Sequence, residues 1–329
     1  MEEAMARSRP FRFGVLALEA ASSSSRDAWV SYARKVEDLG YSTLVMGEHI
    51  SFGGLAPFPA LMAAADATTR LRVATHVLAN DFRNPVLLAQ EVATLDLLAE
   101  GRFEVGIGAG WLAADYPAAG IPFAPAPTRV RRLEEAVLLL KRLFSDGPVT
   151  FEGAYYSVHD MDLVTKPQQR PHPPLYVGGG GKQVLSFAAR VANIVGVSSK
   201  ATAVGALNLG DRTPQAFDEK VRWIHEAAGE RSAELELNTL IQHVRVTDNR
   251  HQGVEEILAA YASWPSDLVV NVPRSTEEIL EAPYCLIGTV TQIVEQLQER
   301  RERYGISYIT VHGGATEALA PVIERLAGT

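Results

Sequence analysis

Short apolar runs that read as strands alternate with amphipathic stretches that read as helices along nearly the whole 329-residue chain, and this alternation limits the fold more than any other feature. A repeat of that kind builds βαβ units on a parallel sheet with both faces covered. The first unit pairs a strand over residues 11–18 with a helix over 27–39 whose Trp29, Tyr32, Ala33 and Val36 share one face. Gly40 follows where a helix end needs a left-handed residue. Strands over 41–46, 71–78 and 102–107 alternate with helices over 59–67, 86–99 and 130–144. Later strands fall at 175–177, 194–197, 235–246 and 307–311, with helices at 183–191, 290–304 and 316–326; Thr289 and Gln292 have capping-box spacing before the penultimate helix. Eight strands, with no G-x-G-x-x-G after the first, favour one closed (β/α)8 TIM barrel over residues 1–329 against an open dinucleotide-binding sheet.

Two stretches depart from the repeat. Residues 147–173 change to a period of two around Glu152 and Gly153 and then become proline-rich, which reads as a hairpin and extended insertion. Residues 199–233 hold an Ala/Gly/Asn-containing stretch and then a charged helix at Pro214–Ala228, read as an excursion over the C-terminal face and a candidate lid. The net charge of -8 argues against a nucleic-acid footprint or a basic membrane face and leaves a small molecule as the expected partner. One cysteine, Cys285, permits no disulfide within the chain, and neither a secretory leader nor a membrane-length apolar run is present. The expectation is a soluble cytoplasmic protein. The histidines form no metal-ligand spacing, so no metal is expected, and no G-x-S-x-G elbow points to a hydrolase.

Barrels build their sites from residues just after each strand. That rule selects Leu18 and Glu19, Glu48 and His49, Thr75, His76 and Val77, Gly108 to Trp111, the four glycines Gly178, Gly179, Gly180 and Gly181, Ser198 and Ser199, and His312. The glycine run before a helix lets backbone N–H groups approach an anion beside the helix's positive end, which suits a phosphate. Gly108, Ala109 and Gly110 offer a small-residue wall for a flat ring, with Trp111 lining the pocket. His49 is placed to exchange a proton with a substrate or ring, and His312 to line the pocket from the last strand.

These residues resemble the luciferase-like oxidoreductase superfamily, which includes flavin-dependent monooxygenases and coenzyme F420-dependent oxidoreductases. The resemblance runs through Gly47-Glu48-His49, Phe82-Arg83-Asn84-Pro85, the stretch from Gly101 to Trp111, and Arg170-Pro171-His172-Pro173-Pro174 ahead of the glycines. It implies a flavin or deazaflavin over the third and fourth strands, its phosphate at the glycine run, a non-prolyl cis peptide at His76-Val77, and His49 near the reactive centre. Trp111 stands where the sugar-phosphate dehydrogenase branch carries a glutamate, which removes acid catalysis from that position. Asn80-Asp81-Phe82-Arg83 and Ala119-Gly120-Ile121-Pro122-Phe123 look most like an F420 subgroup. The resemblance therefore implies hydride transfer with F420, with an FMNH2-dependent monooxygenase as the alternative and an inactive cofactor-binding barrel as a further one. A homodimer is also implied.

Overall fold

A computed structural model describes residues 9–18, 20, 25–51, 54–264 and 268–329. Its barrel strands are β1 (Arg12–Leu16), β2 (Thr43–Met46), β3 (Arg72–Thr75), β4 (Phe103–Gly108), β5 (Leu175–Gly179), β6 (Ile194–Val197), β7 (Glu236–Ile241) and β8 (Ile306–His312). Most of their residues are buried, as continuous apolar runs must be when one face meets the barrel interior and the other meets helices. Every neighbouring pair is parallel in the ring order β3, β2, β1, β8, β7, β6, β5, β4, and pairing of β4 with β3 closes it. The (β/α)8 barrel is the expected one.

The interior is filled in layers. At the N-terminal ends, Glu104 receives Arg12 and Arg72 at 2.7 Å each, and Arg12 also meets Glu236 at 2.7 Å. Above them Tyr308 lies beside Gly14 and Tyr176 beside Gly196; a Cβ at Gly14 would come within 3.0 Å of the Tyr308 ring, and one at Gly196 would overlap the Tyr176 hydroxyl. The upper layer is polar: Asn238 donates to the Tyr308 carbonyl at 3.0 Å and to Thr310 Oγ1 at 2.8 Å, and accepts from Tyr176 Oη at 3.0 Å.

The ring helices are α1 (Arg26–Asp38), α2 (Pro57–Asp66), α3 (Pro85–Leu98), α4 (Ala126–Leu143), α5 (Lys182–Val191), α6 (Pro214–Ala228), α7 (Val290–Tyr304) and α8 (Thr316–Leu326). Gly40 has φ of 84°, and Thr289 with Gln292 forms the expected capping box. An antiparallel hairpin, Val149–Glu152 with Ser157–Met161, fills the expected insertion. It is fastened to α4 by Glu135, which accepts the backbone N–H groups of Ala154, Tyr155 and Tyr156.

Two expectations need correction. Pro214–Ala228 is not part of an excursion over the mouth: α6 packs against α5, with Phe217 and Ile224 in the main core, so it is an ordinary ring helix carrying charge on its outer face. The seventh strand does not run through residue 246. β7 stops at Ile241, and His243–Val246 leaves the barrel to pair with Cys285–Gly288. Between these paired segments, helices Arg250–Ala262 and Thr276–Glu281 build a second small core around Val254, Ile257, Tyr261, Ile279 and Ile287. A run with strand-like composition thus serves two sheets, and periodicity alone gives no sign of the break.

Candidate active site

The third strand breaks where the resemblance places its unusual bond. After Thr75 the His76-Val77 peptide is cis, and Leu78–Ala79 resumes pairing with Ile107 and Gly108 of β4. Thr75 Oγ1 donates to the Gly106 carbonyl at 2.8 Å and accepts from the Gly106 amide at 2.7 Å. Glycine is required here by close approach: a Cβ on Gly106 would overlap the Thr75 carbonyl, and one on Gly108 would lie 2.8 Å from Val77 Cγ2. Gly178 adjoins the same valine, its missing Cβ 3.6 Å from Val77 Cγ1. Val77, Gly108 and Gly178 therefore make a flat, side-chain-poor wall. Ala109 and Gly110 continue it, Gly110 turning the chain with φ of 72°.

The four glycines divide by cause. Gly178 and Gly179 belong to β5, and a Cβ at Gly180 would lie 2.5 Å from the Ser199-Lys200 backbone, so packing accounts for Gly180. Gly181 differs. It is the N-cap of α5, caps through no side chain, and has open space where a Cβ would stand. The first N–H groups of α5 are thereby left without a side-chain cap beside an open cradle, the donor arrangement that an anion fits.

His49 follows β2 and is oriented by a residue that sequence reasoning did not select. Asp115, from the short helix Asp115–Ala118 after β4, places Oδ2 2.7 Å from His49 Nδ1. Its Oδ1 accepts from Ser51 Oγ at 2.6 Å, the Ser51 amide at 2.8 Å and the Ile50 amide at 3.0 Å. Burial opposes ionisation of Asp115, but the Ser51 and His49 hydrogen bonds outweigh it and hold the carboxyl below its ordinary range. The carboxylate thus fixes both the ring and the loop carrying it. Trp111 stands edge-on to His49 with ring centroids 5.8 Å apart. A pocket of about 270 Å³ opens beside His49, lined by Leu18, Met46, Ile50, Leu55 and Arg83 among others. Glu48 also lines this pocket, and by accepting from the Ala79 amide and from Arg83 it holds the loop after β3. Glu19 lies outside the described residues.

Residues 11–307 match the family model described as luciferase-like monooxygenase. The chain belongs to that family. Among its relatives is an F420-dependent glucose-6-phosphate dehydrogenase of Microbacterium testaceum, 30% identical over 219 residues, covering 64% of this chain and 60% of the relative. The 4-hydroxyprotoasukamycin monooxygenase of Streptomyces nodosus subsp. asukaensis is 26% identical over 292 residues, covering 83% of this chain and 76% of the relative. The chain matches about half to three fifths of the length of the dehydrogenase relatives. In overall fold it is similar to a coenzyme F420-dependent tetrahydromethanopterin reductase from Methanopyrus kandleri, with a TM-score of 0.76, 18% identity and coverage of 97% and 98% of the two chains.

At this luciferase-like barrel mouth, histidines from the ends of three strands gather. His76 Nε2 lies 2.9 Å from Tyr176 Oη and 3.3 Å from Asn238 Oδ1, and burial lowers its pKa. His312 ends β8 level with Leu16 of β1; burial, then His76 and Arg212, push it down to about 4. His243 stands just past β7, and burial followed by Arg212, Arg245 and His312 pushes it down to about 3. Both are therefore neutral in the folded protein across a range where the unfolded chain binds protons. With folded pKa values below the unfolded value near 6.5, their contribution to stability is complete above that value. It is lost as pH falls from there toward 4. Denaturant unfolding is expected to show a loss of about 2–4 kcal/mol over this window, a figure discounted for partial exposure. A His243→Leu, His312→Leu variant should flatten the slope; an equally steep slope in that variant would contradict the assignment.

Proposed function

We propose that this protein is an F420-dependent oxidoreductase moving hydride between the deazaflavin and a small organic substrate. The observation that carries the reading is the His49-Asp115 pair at a barrel mouth whose third and fourth strands form a flat wall. The wall at Val77, Gly108, Ala109 and Gly110 suits one face of a planar ring, because Gly108 and Gly110, kept free of side chains by the close approach of Val77 and Tyr116, leave bare backbone for a ring to lie against. Thr75 and His76 support that wall from the strand below. Gly181 and the α5 amides suit its phosphate, with Gly178, Gly179 and Gly180 shaping the approach. When bound, such a ring supplies a two-electron hydride donor or acceptor. With Nδ1 engaged by Asp115, His49 exchanges the accompanying proton at Nε2. Leu18 lines the pocket beside His49 and Trp111 stands against His49; with His312 they are assigned to the substrate's space, and Trp111 in place of a carboxylate speaks against a sugar phosphate as substrate.

A second reading, an FMNH2-dependent monooxygenase, is supported by the breadth of the match to the 4-hydroxyprotoasukamycin monooxygenase and by a relative described as an FMNH(2)-dependent dimethylsulfone monooxygenase. Both rings would use the same phosphate cradle. Gly181→Asp tests that shared element: the side chain enters open space, so folding is retained, while its charge should weaken cofactor binding by about tenfold or more. Unchanged affinity would remove the phosphate from this position.

A homodimer is part of the same proposal. α3 exposes Leu87 and Leu98, and the adjoining α4 exposes Leu138, an apolar face that a second copy would cover. Light scattering should give twice the chain mass, and Leu87→Glu with Leu98→Glu should give the monomer; a wild-type monomer would end this part of the reading. A cytoplasmic location is likewise proposed, from the single buried thiol of Cys285.

A further inference from the structure

The buried cations of this molecule differ in how their charge is answered. Lys220 meets the Asp211 carboxylate at 2.5 Å. Arg300 donates to the carbonyls of Ala282, Pro283 and Cys285, and Arg129 to those of Ala109, Gly110 and Ala124. Arg212 is as deeply placed, 4% exposed, yet its hydrogen-bond partners among the described residues are two hydroxyls: Nε donates to Ser199 Oγ at 2.8 Å and Nη1 to Tyr261 Oη at 3.0 Å. Its guanidinium otherwise meets the faces of the Tyr284 and Tyr261 rings, 5.6 and 6.0 Å from their centroids. No carboxylate among the described residues lies within ion-pair reach of it. The neighbouring Asp211 is turned away to Lys220 and the Lys200 amide.

A guanidinium withdrawn from water without an anion or carbonyls around it is costly to keep, which makes its position informative. Arg212 sits where the ends of β6 and β7 meet the small core of residues 242–288, bridging Ser199 after β6 to Tyr261 of that core. Beside it, His243 presses edge-on against the same Tyr261, ring centroids 4.7 Å apart, and its buried Nε2 has no hydrogen-bond partner. The neutral imidazole has one N–H to give, and Arg212 Nη2 has two that no described residue accepts. One formal positive charge and two neighbouring N–H-bearing groups that share Tyr261 match a planar, singly charged oxyanion.

We propose that Arg212 and His243 form a carboxylate-recognition subsite, and that the substrate of this barrel is a small organic acid held by its carboxylate. The proposal rests on reading the barrel mouth as a substrate site. It places the specificity for the acid group on the side of the mouth opposite the pocket beside His49. The reacting carbon then lies between the two.

The test is calorimetric binding of matched probes, benzoate against benzamide and acetate against acetamide, with inorganic phosphate as a third arm. Wild-type protein, Arg212→Gln, Arg212→Lys and His243→Gln are compared, with and without F420. Each carboxylate should bind about tenfold to a hundredfold more tightly than its amide. Arg212→Gln should erase that preference, and Arg212→Lys should keep part of it. If Arg212→Gln does not fold, His243→Gln and the wild-type acid and amide pairs decide. Equal binding of acid and amide, a preference that survives Arg212→Gln, or tighter binding of phosphate than of either carboxylate overturns the proposal. Deazaflavin fluorescence on the same proteins separates the two readings. A carboxylate preference without F420 binding leaves the subsite standing and removes the cofactor, and F420 binding without a preference does the reverse.

Discussion

Asp115→Asn is expected to lower turnover by about a hundredfold to ten-thousandfold while leaving fold and cofactor affinity nearly unchanged. Aspartate offers acceptors on both sides: Oδ2 to His49 Nδ1, and Oδ1 to Ser51 and the Ile50 amide. Asparagine has only one acceptor. If its oxygen serves the loop, its NH2 faces Nδ1 and imposes the other imidazole tautomer; if its oxygen serves His49, the NH2 faces two backbone donors and shifts the loop. Either outcome misplaces the proton at Nε2. The effect should fall on kcat more than on KM and should alter the pH profile. The double variant with His49→Ala should be little worse than His49→Ala alone, because the aspartate acts through the histidine. Full turnover with an unchanged pH profile in Asp115→Asn would remove both residues from proton transfer.

At the opposite end of the barrel, Glu104→Ala should destabilise the fold by about 3–5 kcal/mol. Burial disfavours the Glu104 carboxylate, but Arg12 and Arg72 outweigh that penalty and keep its pKa below the ordinary value. Removing it leaves the Arg72 guanidinium without its carboxylate and strips one of two from Arg12, inside a closed barrel that water reaches poorly. Glu236→Ala should cost less, since Glu236 is the more exposed carboxylate and Arg12 retains Glu104. Denaturant midpoints measure both. Cofactor affinity per folded molecule should not change, because the cluster and the candidate site lie at opposite ends of the strands. Equal stability of Glu104→Ala and wild type would show that the ion cluster is dispensable.

The barrel was legible in sequence because its strands are local apolar runs and its ring helices carry apolar stripes, each readable within a dozen residues. The cis bond at His76-Val77 was legible through family resemblance alone. What escaped depends on contacts between distant segments. Asp115 is a single aspartate at the start of a four-residue helix, and nothing near it announces a partner 66 positions earlier. Its one available signal was position, four residues past Trp111 at the end of a barrel strand. Arg212 was hidden in a stretch read as lid material, and His243 inside a run read as one strand. Composition reports whether a residue prefers burial; it does not report which of two sheets a strand joins, nor whether a cation in a loop will find an anion. The glycine run shows the same limit from the other side. Four identical residues invited one explanation, yet close packing accounts for Gly180 and an open helix N-terminus for Gly181.

The wall and the Gly181 cradle are proposed to hold a deazaflavin. The most direct test of that proposal is an equilibrium titration of the purified protein with reduced F420 and reduced FMN side by side, read from the absorbance and fluorescence of each ring. The account predicts that F420 binds about tenfold or more tightly than FMN and that its spectrum shifts on entering the barrel mouth. Tighter binding of FMN, or binding of neither, would contradict it.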